Sequence, residues 1–283
     1  MAADERSFSI NGLRLAALEW PGAGLPIIAL HGWLDNAASF VPLAPYLSDH
    51  HLLAVELPGH GHSDHLPHLT HYHLADNIHW LAAVADAMGW QRFVLLGHSM
   101  GAAIACLAAA AMPHRIIGLS LIDGLGPIAY TPPEEVARLR RLFAEPRAPR
   151  LRRPFVDIVT AAAARQRHSR FPISHGAAST LVERNLCREE EGYYWRYDSR
   201  LNEPSTHYYS EEQVVGILHA IDAPALLLSA EQGALQGWQG FTARRAALRG
   251  LQHQPLPGGH HLHMETPALV AGYLNRFYTA LEG

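Results

Sequence analysis

Lysine is absent from the 283 residues, so arginine carries every fixed positive side-chain charge. Acidic residues outnumber the arginines only slightly, and the formal net charge is −4. A balance so close to neutral gives no electrostatic reason to expect a nucleic-acid partner. Cysteine is scarce, with Cys106 and Cys187 alone. Two thiols build no disulfide framework and their spacing fits no zinc knuckle, so a reducing compartment is expected. Long apolar runs are also missing. The longest, Ala102 to Met112, is too short to span a bilayer. The opening "MAADERSFSING" has no basic region followed by an apolar run, so it does not read as a signal peptide. A cytoplasmic protein without a membrane span is the expectation. Abundant Ala, Arg and His with no Lys point to a GC-rich bacterial genome. No internal repeat appears, and the composition carries no mark of oligomeric state.

What is present suffices for one sizeable core, since 48% of the residues are hydrophobic. "FSINGLRLAALEW" has an Asn-Gly turn between alternating runs and predicts a hairpin from Phe8 to Trp20. "PIIALHG", "HLLAVELPG", "RFVLLGHS", "IIGLSLID", "APALLLSAE" and "LQHQPLPG" are short apolar runs that read as buried parallel strands. Between them fall helical patterns: "AASFVPLAPYL", "LADNIHWLAAVADAMGW", "MGAAIACLAAAAMP", "FTARRAALRG" and "TPALVAGYLNRFYTAL". Strands alternating with helices imply an α/β fold, a mostly parallel sheet with helices on both faces. The alternation stops from about Pro127 to Ile221, in a stretch rich in Arg and Pro. Residues 1–126 and 222–283 are therefore expected to form the core, and 127–221 a helical cap over the strand ends.

Twenty histidines draw attention to "HGHSDH", His60 to His65, whose His-x-His-x-Asp-His pattern resembles the dinuclear zinc loop of metallo-β-lactamase-type hydrolases. That site needs further ligands at strand ends of a different sandwich fold. This chain supplies strand–helix alternation instead, so no metal and no cofactor is expected. "GHSMG", Gly97 to Gly101, lies between a predicted strand and a predicted helix. That is the context of a nucleophile elbow, where a serine occupies a sharp turn and its neighbours at −2 and +2 must be small. Ser99 is the candidate nucleophile.

With the elbow in place, the chain resembles the α/β-hydrolase superfamily from end to end, and within it the serine hydrolase-like proteins. The motifs that carry the likeness are "HGWLDNAASF", "ELPGHGHSDH", "GHSMG", "LIDGLGP" and "YYWRYDSRL". The resemblance implies an eight-stranded sheet with the cap inserted after the sixth strand. "HGWLDN" then looks like the oxyanion loop, with the backbone N–H groups of Trp33 and Met100 as donors and His31 as a structural brace. Trp33 and His98 are expected to contact substrate. "GGHHLHMETP" looks like the loop that carries the base. Counting five residues back from Glu265 gives His260, with His261 as the competitor; Glu265 itself is expected to cap the final helix. "ELPGHGHSD" becomes a turn in which Glu56 stands where Asp is more usual. "YYWRYDSRL" implies that Asp198, Arg200 and Leu201 dock the cap.

A serine–histidine pair needs a carboxylate to fix the imidazole tautomer. The common place is a Gly-x-x-Asp turn after the strand "PALLLSAE", yet that position is Gly233. Two acids stay open: Asp123, which ends "LSLID", and Glu231. The cap arginines Arg138, Arg140, Arg141, Arg150, Arg152 and Arg153 read as a solvated helical face. The expected function is a serine hydrolase of small carboxylic esters. Carbon–carbon bond hydrolysis, lactone opening and perhydrolysis use the same groups, and a non-catalytic binding protein is the alternative that the missing acid suggests.

Overall fold

The computed structural model describes residues 2–68, 70–143, 153–203 and 205–283. Its elements in chain order begin with β1 (Asp4–Ile10), β2 (Leu13–Trp20), β3 (Pro26–Leu30), β4 (His51–Val55), α1 (Asn77–Ala87), β5 (Phe93–His98), α2 (Met100–Ala111) and β6 (Ile116–Ile122). Then come α3 (Pro132–Phe143), α4 (Ile158–His168), α5 (His175–Asn185), β7 (Leu186–Glu189), β8 (Gly192–Trp195) and α6 (Glu211–His219). The chain closes with β9 (Ala225–Gln232), α7 (Phe241–Ala247), β10 (Gln252–Gly259), α8 (Leu262–Glu265) and α9 (Pro267–Glu282). Eight strands form one sheet in the order β1-β2-β4-β3-β5-β6-β9-β10. The predicted hairpin is β1–β2; Asn11 and Gly12 both take positive φ, as its tight turn demands. From β4 through β10 every pairing is parallel.

Alternation along the strands fills both faces of the sheet. On β5, Phe93 and Leu95 join the apolar cluster that takes in α1 and α2. Val94 and Leu96 join the opposite cluster, which takes in Phe40, Leu43 and the α9 residues Val270 and Leu274. The helix predicted at "AASFVPLAPYL" is instead two 3₁₀ turns, Ala37–Phe40 and Ala44–Leu47. Pro42 and Pro45 supply no N–H, so a continuous ladder cannot run through them. No helix among the described residues is long and apolar enough to cross a membrane.

Between β6 and β9 the chain leaves the sheet through α3, α4, α5 and the β7–β8 hairpin. Val214 and Leu218 of α6, inside the range 127–221 expected to form the cap, pack into the first core cluster. Arg138 is not on a solvated face as expected. Its guanidinium stacks on Tyr208 and Tyr130, and its Nη2 donates to the Ser205 carbonyl. Arg140, Arg141 and Arg153 are exposed, while Arg150 and Arg152 lie outside the described residues.

Two of the polar links that fasten this excursion to the core meet at the loop after β4. Arg184 of α5 donates to the fully buried Glu56 at 2.7 Å and also pairs with Glu5. The "HGHSDH" loop wraps the same carboxylate: the His62 N–H donates to Glu56 at 2.7 Å. A Cβ on Gly61, which has φ +51°, would fall 2.0 Å from Glu56 Oε1. The second anchor is Asp198, which accepts from Arg200 and from the Tyr72 hydroxyl, while its own N–H donates to the Gly59 carbonyl. Replacing Arg184 by Met leaves Glu56 buried without its cation. The expected cost is about 3 kcal/mol of stability, read from the urea midpoint. An unchanged midpoint would show that Glu56 finds other partners.

Candidate active site

Strand β5 runs without a break into α2 at Ser99. The serine has φ 53° and ψ −110°, outside the regions open to most side chains. Two glycines permit the turn. A Cβ on Gly97 would sit 2.5 Å from the Gly101 backbone, and one on Gly101 would sit 2.0 Å from the Leu30 carbonyl oxygen. The Ser99 N–H donates to Ile122 O at 3.0 Å, which locks the turn to the end of β6. Met100 opens α2, so its N–H is among those a helix leaves without an internal acceptor. Trp33 is half exposed, and its indole N–H donates to the Leu201 carbonyl of the cap at 3.1 Å.

One residue beyond β6, Asp123 also takes a positive φ. Its carboxylate is buried and accepts three donors. Oδ2 accepts from His260 Nδ1 at 2.5 Å and from Ala234 N–H at 2.7 Å; Oδ1 accepts from Ala230 N–H at 3.1 Å. A Cβ on Gly233 would fall 2.2 Å from Asp123 Oδ2. The place that lacked its expected acid is thus filled by the carboxylate of the neighbouring strand. Glu231 lies exposed at the end of β9, and the structure does not bring it to His260.

His260 is 5% exposed. Because Nδ1 donates to Asp123, Nε2 is the nitrogen left for chemistry. Phe171, between α4 and α5, covers the imidazole, with ring centroids 4.3 Å apart and planes tilted by 34°. The chain then turns into α5, where the Ser174 N–H donates to Glu265 at 2.7 Å. Glu265 therefore ties the start of α5 to the loop that carries His260, a role its place beside the final helix did not reveal.

His98, expected at the substrate, is wholly buried. Its Nε2–H donates to the His260 carbonyl at 2.9 Å, so it supports the histidine loop from behind. His261 and His263 lie beside it, with ring centroids 5.1 and 4.3 Å from its own. His31 braces its loop as expected: its Nδ1–H donates to Gly32 O, and its Nε2 accepts from Leu57 N–H. The rings of "HGHSDH" disperse. His60 donates to Pro58 O and packs on His31, whereas His65 donates to the Arg196 carbonyl of the cap.

A sheet of this order, with a strained serine between β5 and α2 and an Asp–His pair at the ends of β6 and β10, defines an α/β hydrolase architecture. The family model for the α/β hydrolase fold matches residues 26–267, and the chain belongs to that family. A serine hydrolase-like protein of Dictyostelium discoideum is 31% identical over 272 residues, covering 90% of this chain and 76% of that protein. The crystal structure of a hypothetical protein from Pseudomonas aeruginosa PAO1 is similar at a TM-score of 0.88, with 36% identity over 99% of each chain. A pimeloyl-[acyl-carrier protein] methyl ester esterase of Xylella fastidiosa (strain M12) is 34% identical over 116 residues, which cover 41% of this chain and 40% of that protein.

Burial also fixes the charge state of the histidines behind the site. Desolvation pushes His31 and His98 below their ordinary value and takes His60 and His263 down to about 3. In the unfolded chain the same groups take up protons near pH 6.5. Below that pH the unfolded state binds more protons, so stability falls as pH falls from about 6.5 towards 3. The slope reaches at most about 1.4 kcal/mol per pH unit for each histidine. Urea midpoints at pH 7 and pH 5 should differ accordingly; a flat response would contradict neutral burial.

Proposed function

We propose that this protein is a serine hydrolase of small carboxylic esters that works through an acyl-enzyme. The observation that carries the reading is the Asp123–His260 hydrogen bond at 2.5 Å, set at strand ends beside a serine in a strained turn. Asp123 holds the imidazole with Nδ1 protonated, so His260 Nε2 is the base that takes the Ser99 proton as the hydroxyl oxygen attacks the ester carbonyl. Negative charge then grows on the carbonyl oxygen, where the N–H groups of Met100 and Trp33 are the proposed donors. The imidazolium, stabilised by Asp123, gives its proton to the leaving alcohol. Water activated by His260 next attacks the acyl-serine, and the released acid restores Ser99.

The residues between β6 and β9 act as the cap. Phe171 lies on His260 and shields it from bulk water, which strengthens the charges formed below. The similarity to a methyl ester esterase supports an ester of a small alcohol.

A fluorophosphonate probe should label the wild type and leave Ser99→Ala unlabelled. On p-nitrophenyl esters of graded chain length, Asp123→Asn should lose on the order of 10³- to 10⁴-fold in kcat, while Glu231→Gln stays near wild type. Gly233→Ala drives a methyl into Asp123 Oδ2 and should lose at least about tenfold in kcat through the displaced carboxylate. Unlabelled wild type, or an Asp123→Asn variant with near-full turnover, would defeat this reading.

A further inference from the structure

Behind His260 lies a buried polar cluster that the proposed chemistry does not use. Its centre is Asp35, which the loop after β3 carries and which is 2% exposed. Oδ1 accepts from Arg165 Nη2 of the cap helix α4 at 2.7 Å. Oδ2 lies 3.5 Å from His261 Nε2 and 3.7 Å from His98 Nδ1. Both of those histidines act on His260 directly: His98 holds its carbonyl, and His261 follows it in the chain. No space is left for rearrangement, since a Cβ on Gly32 would meet both Asp35 Oδ2 and His98 Nδ1 at 2.9 Å.

The groups that face Asp35 are Arg165 from α4, His98 from β5, His261 and His263 from the turn of α8, and His31 and His60 from the loops after β3 and β4. His31, His60, His98 and His263 are held in the neutral form by burial. Arg165 is therefore the group in this set whose charge is permanent. A buried carboxylate beside neutral imidazoles is costly without such a partner.

We infer that Asp35 is a positioning residue for His260 and that Arg165 completes it from the cap, so cap docking and imidazole placement are one linked state. This rests on the reading of Ser99 and His260 given above. The cap then does more than cover the cleft. With α4 in place, its guanidinium offsets the Asp35 charge behind His260.

The test is the cycle of Arg165→Met, Asp35→Asn and the double variant, each checked for folding by circular dichroism and assayed on p-nitrophenyl acetate across pH. Removing Arg165 leaves a negative charge near the base, raises its pKa, and moves the acid limb of kcat/KM up by about half a pH unit. Removing the Asp35 charge leaves Arg165 unpaired and moves the limb down by a similar amount. The double variant returns the limb to its wild-type place, and its loss of kcat is about tenfold smaller than the product of the single losses. Arg165→Lys keeps the charge and leaves the limb unmoved, so comparison with Arg165→Met decides the matter even where Asp35→Asn fails to fold. Unmoved limbs, or losses that multiply, overturn the inference while fluorophosphonate labelling of the wild type still upholds the reading of Ser99. A wild type that takes no label overturns both.

Discussion

The site depends on where one carboxylate is buried. Asp123 sits at the end of β6 with three donors on its two oxygens, two of them backbone N–H groups, one within β9 (Ala230) and one from the turn after it (Ala234). A charge taken out of water is tolerable when its lone pairs are met by fixed donors. Those donors hold the carboxylate where its third partner must be His260. The serine side is as rigid, because Gly97 and Gly101 leave room only for backbone and Ser99 hangs from the Ile122 carbonyl. The proposed nucleophile and acid thus belong to adjacent strand ends of one parallel ladder, β5 and β6, and their separation is set by the sheet.

Among the described residues, polar links join the segment between β6 and β9 to this centre, beside an apolar contact of Ile173, Ala177 and Leu181 with Met264. Arg184 reaches Glu56, Asp198 binds the loop at Gly59, Ser174 is held by Glu265, and Arg165 meets Asp35. Three of the core acceptors, Glu56, Glu265 and Asp35, are carboxylates beside elements that carry the candidate chemistry. Charged contacts of this kind are directional, and a partner lost from a buried one is costly. The segment fastened in this way places Phe171 on the imidazole.

Much of this was legible from residue order alone. Apolar runs ending at glycine marked the parallel strands, and the small residues around Ser99 marked the elbow. The family's spacing, five residues before a Glu-x-Pro, favoured His260 over His261, and His260 is the one hydrogen-bonded to Asp123. The acid could not be settled, because the question turned on which strand ends lie side by side. The sequence exposed a vacancy at Gly233, but only packing shows that the Asp123 carboxylate occupies that volume. His98 was misplaced for a related reason: a residue beside the serine in sequence points to the opposite side of its strand. Asp35 and Arg165, about 130 residues apart, gave no local signal, since an ion pair between loop and cap has no periodicity. The missing helix at "AASFVPLAPYL" was readable in Pro42 and Pro45, whose lost N–H groups outweigh the apolar spacing.

The central claim is that Asp123, and no other acid, holds the His260 Nδ1 proton. Proton NMR of the folded protein observes that proton directly. A strongly deshielded imidazole N–H resonance should be present in the wild type and in Glu231→Gln, and absent from Asp123→Asn. Its survival in Asp123→Asn, or its loss in Glu231→Gln, would contradict the account.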